Sequence, residues 1–178
     1  MKFIVAGYGF VGSAIGNVLS KQHEIVPVDP RLNNNKIKDH MVDCDGVIIA
    51  VSTPANKDGT ANVKNIWNVL QQIDESGFRF KPILIKSTIT FDHLEEIQKD
   101  YSITYYPEFL REVTAMEDFV NQKYAILDST EISHALPLVL TLFIISRFDF
   151  YDLLFCCLPA LKDSDFNCLN SLIYVIPN

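Results

Sequence analysis

No stretch of this chain is long and apolar enough to cross a bilayer. The longest apolar run, Leu136 to Ile145, contains Pro137 and gives way to Arg147 and Asp149, well short of the ~20 residues a membrane helix needs. A secretory leader does not fit either, because the apolar residues at the start lead directly into glycines instead of a small-residue cleavage site. Positive charge is scarce: 15 Lys and Arg stand against 22 Asp and Glu, a formal net charge of -7. That balance argues against a nucleic-acid partner or an anionic membrane surface, while leaving room for a local basic pocket. The four cysteines, Cys44, Cys156, Cys157 and Cys168, lack the paired spacing of a zinc site, so no metal is expected and they read as buried free thiols. Nothing in their number suggests an oxidising compartment. Internal repeats and low-complexity linkers are also missing. The expectation is a cytoplasmic globular protein with about one domain and room for a fragment of a second.

The most informative feature is the beginning. Lys2-Phe3-Ile4-Val5-Ala6 runs into Gly7-Tyr8-Gly9-Phe10-Val11-Gly12 and then into a helix-like stretch from Ser13 to Leu19. This is a strand, a GxGxxG turn and a helix. Each glycine has a mechanical reason: Gly7 permits the tight turn, Gly9 lets the backbone approach a pyrophosphate, and Gly12 lets helix and strand pack closely. Free N–H groups at the helix start face the anion. A second apolar run, Glu24 to Val28, ends in Asp29, roughly 20 residues after the first glycine, where the dinucleotide fingerprint has an acid. An acid there accepts the ribose hydroxyls of NAD and repels the extra phosphate of NADP.

Further along, Asn33-Asn34-Asn35 with Lys36 and Lys38 reads as a solvated loop, and Asp45 to Val51 as a buried parallel strand followed by Ser52-Thr53-Pro54. Asn62 to Ser76 has helical spacing, with Val63, Ile66, Val69, Leu70 and Ile73 on one face and Asn62 as a candidate cap. Pro82 to Lys86 is the next strand, followed by Ser87-Thr88; Phe91 to Lys99 is helical, Ser102 to Tyr105 extended, and Tyr124 to Leu127 a further short strand. Alternating strands and helices predict an α/β fold with a doubly wound parallel sheet of Rossmann type. Ligands bind such sheets beyond the carboxyl ends of the strands. Gly7 to Gly12, Asp29, Ser52-Thr53, Ser87-Thr88 and Glu108 to Glu112 are therefore expected along one edge.

With those positions in hand, the chain resembles the N-terminal NAD-binding domain of the UDP-glucose/GDP-mannose dehydrogenase family. The resemblance rests on GYGFVG (Gly7 to Gly12), VDP (Val28 to Pro30), DGVIIAVSTP…DGTANV (Asp45 to Val63), KST (Lys86 to Thr88) and YPEFLREVTAMEDF (Tyr106 to Phe119). It implies NAD as cofactor and an oxidation of a nucleotide sugar's C6 alcohol, of UDP-glucose type, to a carboxylate by two hydride transfers. By the same resemblance Gly7, Gly9, Phe10, Val11, Gly12, Asp29, Thr53, Thr88 and Glu112 are cofactor-binding, and Thr88, Glu108 and Glu112 are catalytic. Those three suit the task, since hydride loss requires a proton acceptor or a relayed water, which paired carboxylates and a hydroxyl can position. Structural alternatives exist for each: a helix-dipole role for Glu108, an exposed partner of Arg111 for Glu112 and a helix cap for Thr88.

The chain also departs from the family pattern. Ile89-Thr90-Phe91-Asp92 stands where Pro and Gly-Thr usually follow the Ser-Thr pair, Tyr106 replaces the usual Asn, Val113 a Gly, and Asp128 the glycine after the short strand. From Asp128 the similarity fades, so residues 1-128 are expected to form the NAD-binding domain and residues 129-178 a divergent segment, unassigned, in place of the family's central helix and second domain. None of Cys156, Cys157 and Cys168 sits in a glycine-rich loop where the family's nucleophile is found, and the resemblance implies that the aldehyde is carried to the acid level as a thioester on that activated thiolate. The isolated chain is thus expected to be incomplete. Its expected partners are a nucleotide sugar and either a second copy or a separate second-half chain. A non-catalytic NAD-binding module and an inactive truncated product stay open as alternatives.

Overall fold

In the computed structural model the described residues are 1–107, 110–121, 124–129 and 171–175. The chain alternates strand and helix through β1 (Lys2–Ala6), α1 (Phe10–Leu19), β2 (Glu24–Val28), α2 (Ile37–His40), β3 (Gly46–Ile49), α3 (Lys64–Ser76), β4 (Ile83–Ile85), α4 (Phe91–Asp100) and β5 (Ile103–Tyr105). A single 3₁₀ turn (Glu112–Thr114), α5 (Ala115–Val120), β6 (Tyr124–Ser129) and β7 (Ser171–Val175) follow. The strands form one sheet in the order β2-β1-β3-β4-β5-β6-β7. Its first five strands are parallel, and β6 and β7 join antiparallel. The strand expected at Tyr124 to Leu127 therefore exists but runs against its neighbour. Apolar runs show that a strand is buried on both faces, not which way it points.

Side-chain alternation builds the two layers. Ile4, Ala6, Val47, Ile49, Ile83 and Ile85 face α2, α3 and α4, packing with Ile37, Ile66, Leu70, Ile73, Leu94 and Ile97. Phe3, Val5, Ile48 and Leu84 point the other way, onto Ile15, Val18 and Leu19 of α1 and Phe119 of α5. A period of two along each strand and of 3.6 along each helix makes this sorting automatic. Truncating one such buried side chain, Leu84→Ala for example, costs about 2–5 kcal/mol.

The expected elements appear with small changes at their ends. Asn62 does support the start of α3: its Oδ1 accepts a hydrogen bond from the Lys64 N–H at 3.1 Å. At the far end, Gly77 takes the left-handed conformation, φ 77°, that a helix terminus commonly needs. Thr90, and not Thr88, precedes the first residue of α4, so Thr88 is free of the helix-capping role. Within the loop expected from Asn33 to Lys38, the short α2 had no clear signal, since four residues carry less than two helical turns. Tyr101, at the end of α4, donates a hydrogen bond to Asp74 of α3 and lies beneath the Arg79 guanidinium, 4.3 Å from the ring centroid. That clamp stands at the sheet edge opposite the carboxyl ends.

Candidate functional site

Parallel strands all end at the same edge, and their ends are tied together by backbone. The Gly7 N–H donates to the Val28 carbonyl at 2.9 Å, Ala50 N–H to Ala6, Lys86 N–H to Ile49 and Tyr106 N–H to Ile85. Beyond this edge lies an open cleft of about 1290 Å³. Gly7, Gly9, Phe10, Val11, Asp29, Thr53 and Thr88 all line it, as do Lys86, Ser87 and Leu110. Motifs far apart in the chain, from Gly7 to Leu110, thus meet in one site.

The glycine turn is built as its spacing requires. Gly7 has φ +85°, and a Cβ there would lie 2.5 Å from the Ala50 carbonyl oxygen. A Cβ on Gly12 would lie 2.0 Å from the Gly7 carbonyl oxygen, so this glycine serves helix–turn packing and is absent from the cleft wall. Gly9 is different: its Cβ would meet nothing within 4 Å. It borders open cleft at the start of α1, where the first-turn N–H groups have no intrahelical acceptor. Gly16, which the motif does not include, makes room for Tyr8, whose hydroxyl would be 2.5 Å from a Cβ at that position.

Asp29 is only 5% exposed. Its two oxygens accept from the Tyr8 N–H and the Arg31 N–H, each at 2.9 Å, and the Arg31 guanidinium is 3.6 Å away. These bonds, first that from Arg31 and then that from Tyr8, hold its carboxyl below the usual aspartate range against the opposing effect of burial. A carboxylate offers about four lone-pair sites, so two backbone donors leave it able to accept ribose hydroxyls. Asp29 also does something its position in the motif did not reveal: it latches the glycine turn to the end of β2.

The remaining walls are polar. Asn33 and Asn35 donate to the Pro27 carbonyl at 2.9 and 3.0 Å, pinning the loop that carries Lys36 and Lys38 into the cleft wall. Opposite stand Asn65, Asn68 and Gln72 of α3, a stripe at i, i+3 and i+7 that helical periodicity could have marked. Asn65 also holds the strap after β3, donating to the Ser52 carbonyl at 2.9 Å, and Ser87 donates to the Val51 carbonyl at 2.7 Å.

The expected carboxylates fare differently. Glu108 lies outside the described residues, as do Cys156, Cys157 and Cys168. Glu112 is exposed on the 3₁₀ turn and is not part of the cleft wall. Nor is it the partner of Arg111, which pairs with Asp118 at 2.7 Å and holds that carboxyl well below the usual aspartate range. Cys44 is a buried free thiol, as expected, with burial raising its pKa.

A glycine turn feeding a helix N-terminus, with an acid ending the adjacent strand, defines a Rossmann-type dinucleotide-binding domain. Residues 30–140 match the family model of the UDP-glucose/GDP-mannose dehydrogenase family, NAD binding domain, and the chain belongs to that family. The chain is 26% identical over 174 residues to the putative UDP-glucose 6-dehydrogenase YtcA of Bacillus subtilis, covering 75% of this chain and 41% of that protein. Across five such relatives it spans between 12% and 41% of their length. In fold it is similar to a UDP-glucose dehydrogenase from Pyrobaculum islandicum, with a TM-score of 0.62 and 21% identity over 80% of this chain and 43% of the other. A GDP-mannose dehydrogenase from Pseudomonas aeruginosa gives a TM-score of 0.67 and 16% identity over 90% of this chain and 51% of the other. NAD is the cofactor of this domain, and the residues present fit it: open space at Gly9, free donors at the start of α1 and spare acceptor sites on Asp29.

Proposed function

We propose that this chain is the NAD-binding part of a nucleotide-sugar 6-dehydrogenase of UDP-glucose type, which oxidises a C6 alcohol toward a carboxylate. The observation that carries the reading is the continuity of one cleft from Asp29, past the glycine turn, to Thr88. NAD, when bound, supplies the two-electron acceptor for an alcohol. The chain's own residues orient it: Asp29 for the adenosine ribose, the start of α1 with Gly9, Phe10 and Val11 for the pyrophosphate, and Thr53 on the far side of the turn.

Thr88, Glu108 and Glu112 carry the proton chemistry in this reading. The Thr88 hydroxyl lines the cleft and would hold the reacting alcohol or its water, while a carboxylate takes the proton that the alcohol must lose. For Glu112 the support is its motif, in which Leu110, two residues earlier, lines the cleft. In the family's route the acid level is reached through a covalent thioester formed on a thiolate. No cysteine of this chain matches the family's nucleophile, so we propose that the 178-residue chain binds cofactor without completing the four-electron oxidation alone. A cytoplasmic location and a second copy or separate second-half chain as partner belong to the same reading.

The test is an assay of the purified chain with NAD and a panel of nucleotide sugars, alone and with the remaining family domains supplied fused or in trans. Cofactor binding alone, and turnover on addition, are expected. In the complemented enzyme Glu112→Gln should lower turnover more than NAD affinity. Two equivalents of NADH per UDP-glucose from the chain alone would overturn the claim of incompleteness.

A further inference from the structure

The cleft wall holds a cation directly beside the acid on which the dinucleotide motif relies. Arg31, two residues after Asp29, lines the same cleft, and its side chain is 83% exposed. Its Nε stands 3.6 Å from the Asp29 oxygen that also accepts the Arg31 N–H, while the other oxygen accepts the Tyr8 N–H. A guanidinium carries five N–H donors, so a contact through Nε leaves the terminal N–H groups of Arg31 for an anion. Lys36 and Lys38 line the cleft from the loop that follows, and among the described residues the lining carboxylate other than Asp29 is Glu75 of α3. In a chain of net charge -7, this wall is a local excess of positive charge.

An acid at the end of β2 takes the ribose 2′-hydroxyl, whereas an arginine nearby accommodates a 2′-phosphate. Both are present here, and they form a pair. A phosphate on the ribose 2′ oxygen, within hydrogen-bond reach of Asp29, therefore meets the guanidinium as well as the carboxylate. The two charges sum to zero, and the two lysines add attraction. Salt acts unequally on these effects: exposed charges are screened over about 10 Å at 0.1 M, whereas buried ones are screened much less. Attraction to the exposed Arg31 thus weakens as salt rises, while repulsion from the buried Asp29 persists.

We propose that Arg31 is a specificity-determining residue that offsets Asp29 and admits a 2′-phosphate, making NADP a second ligand of this cleft that binds only slightly more weakly than NAD. The inference rests on the dinucleotide reading of the cleft. A charge-assisted bond from a guanidinium to a phosphate is among the stronger hydrogen bonds and changes affinity by roughly tenfold. NAD carries no group at that position and is nearly indifferent to it. Asp29 sets which dinucleotide is preferred, and Arg31 limits the size of the preference.

The experiment is calorimetric titration of the full chain with NAD and with NADP, at low and at high salt, for the native protein and Arg31→Ala, which keeps the backbone N–H bond to Asp29. At low salt the native chain should bind NADP less than about tenfold more weakly than NAD, high salt should widen that gap, and Arg31→Ala should widen it by about tenfold. A native gap above about tenfold at low salt, or a gap in folded Arg31→Ala within about threefold of the native one, overturns this inference alone. Should Arg31→Ala fail to fold by circular dichroism, the native chain decides, and a gap that high salt does not widen overturns the proposal. Failure of the native chain to bind either dinucleotide overturns the reading of the cleft and this inference with it.

Discussion

Replacing Gly9 with Val separates two jobs that the glycine motif combines. Gly9 has φ −72° and ψ −158° at the N-cap of α1, a conformation open to any L residue, and a Cβ there meets nothing within 4 Å. The cost to the fold is confined to a poorer cap, about 1 kcal/mol or less, which lowers the melting temperature by about 2–4 °C in a protein of this size. Binding should suffer far more, because the valine methyls fill the space through which the turn's backbone reaches a pyrophosphate. Loss of two hydrogen bonds to a charged group, at about 1.5 kcal/mol or more each, weakens NAD by about a hundredfold. Gly12→Ala should show the reverse balance. Its Cβ would lie 2.0 Å from the Gly7 carbonyl oxygen, so the turn must shift, at about 3 kcal/mol or more of stability. Urea unfolding followed by calorimetry with NAD reads both quantities for each variant. A folded Gly9→Val protein with NAD affinity within twofold of the native chain would refute the assignment of Gly9 to the pyrophosphate.

Three further outcomes follow from the same geometry. Asp29→Ala should narrow the preference for NAD over NADP, since a 2′-phosphate no longer meets a buried carboxylate; equal or tighter NADP binding by the native chain, measured by calorimetry, would remove the basis for this. The depressed pKa of Asp29 means that its ionised form stabilises the fold at all pH values above the unfolded aspartate value of about 3.9, and that this contribution is lost as pH falls through the lower folded value. The stability difference between the native chain and Asp29→Asn, followed by urea midpoints from pH 6 to pH 2, should accordingly shrink below about pH 4, and a constant difference would contradict the cause given. Tyr101, whose pKa is pushed up to about 12 chiefly by burial and then by its bond to Asp74, should on change to Phe cost about 1 kcal/mol of stability while leaving NAD affinity unaltered.

The glycine-turn side of the cleft was readable from sequence because it is local or nearly so. A glycine turn, the start of the helix it feeds and the acid ending the next strand depend on backbone requirements that particular residue types meet. Lys86 shows where that reading stops. It belonged to the KST motif, but its burial against the Tyr106 ring depends on the Tyr106 N–H bonding the Ile85 carbonyl, a contact across adjacent strands that residue spacing does not encode. Glu112 shows the same limit from the other side, since spacing alone offered it Arg111 as a neighbouring partner while the fold pairs Arg111 with Asp118.

What the sequence by itself determined was strands β1 to β5 and helices α1, α3 and α4 with their buried faces, because alternation along Phe3 to Ala6, Val47 to Ile49 and Ile83 to Ile85 is a property of consecutive residues. Only the tertiary structure decided the strand order, the antiparallel entry of β6 and β7, the latch from Asp29 to the glycine turn and the seating of Lys86 on the Tyr106 ring beside Thr88. Each of these depends on which strand ends lie side by side, and neighbours in the sheet are chosen by packing of the whole layer and not by any local stretch of chain.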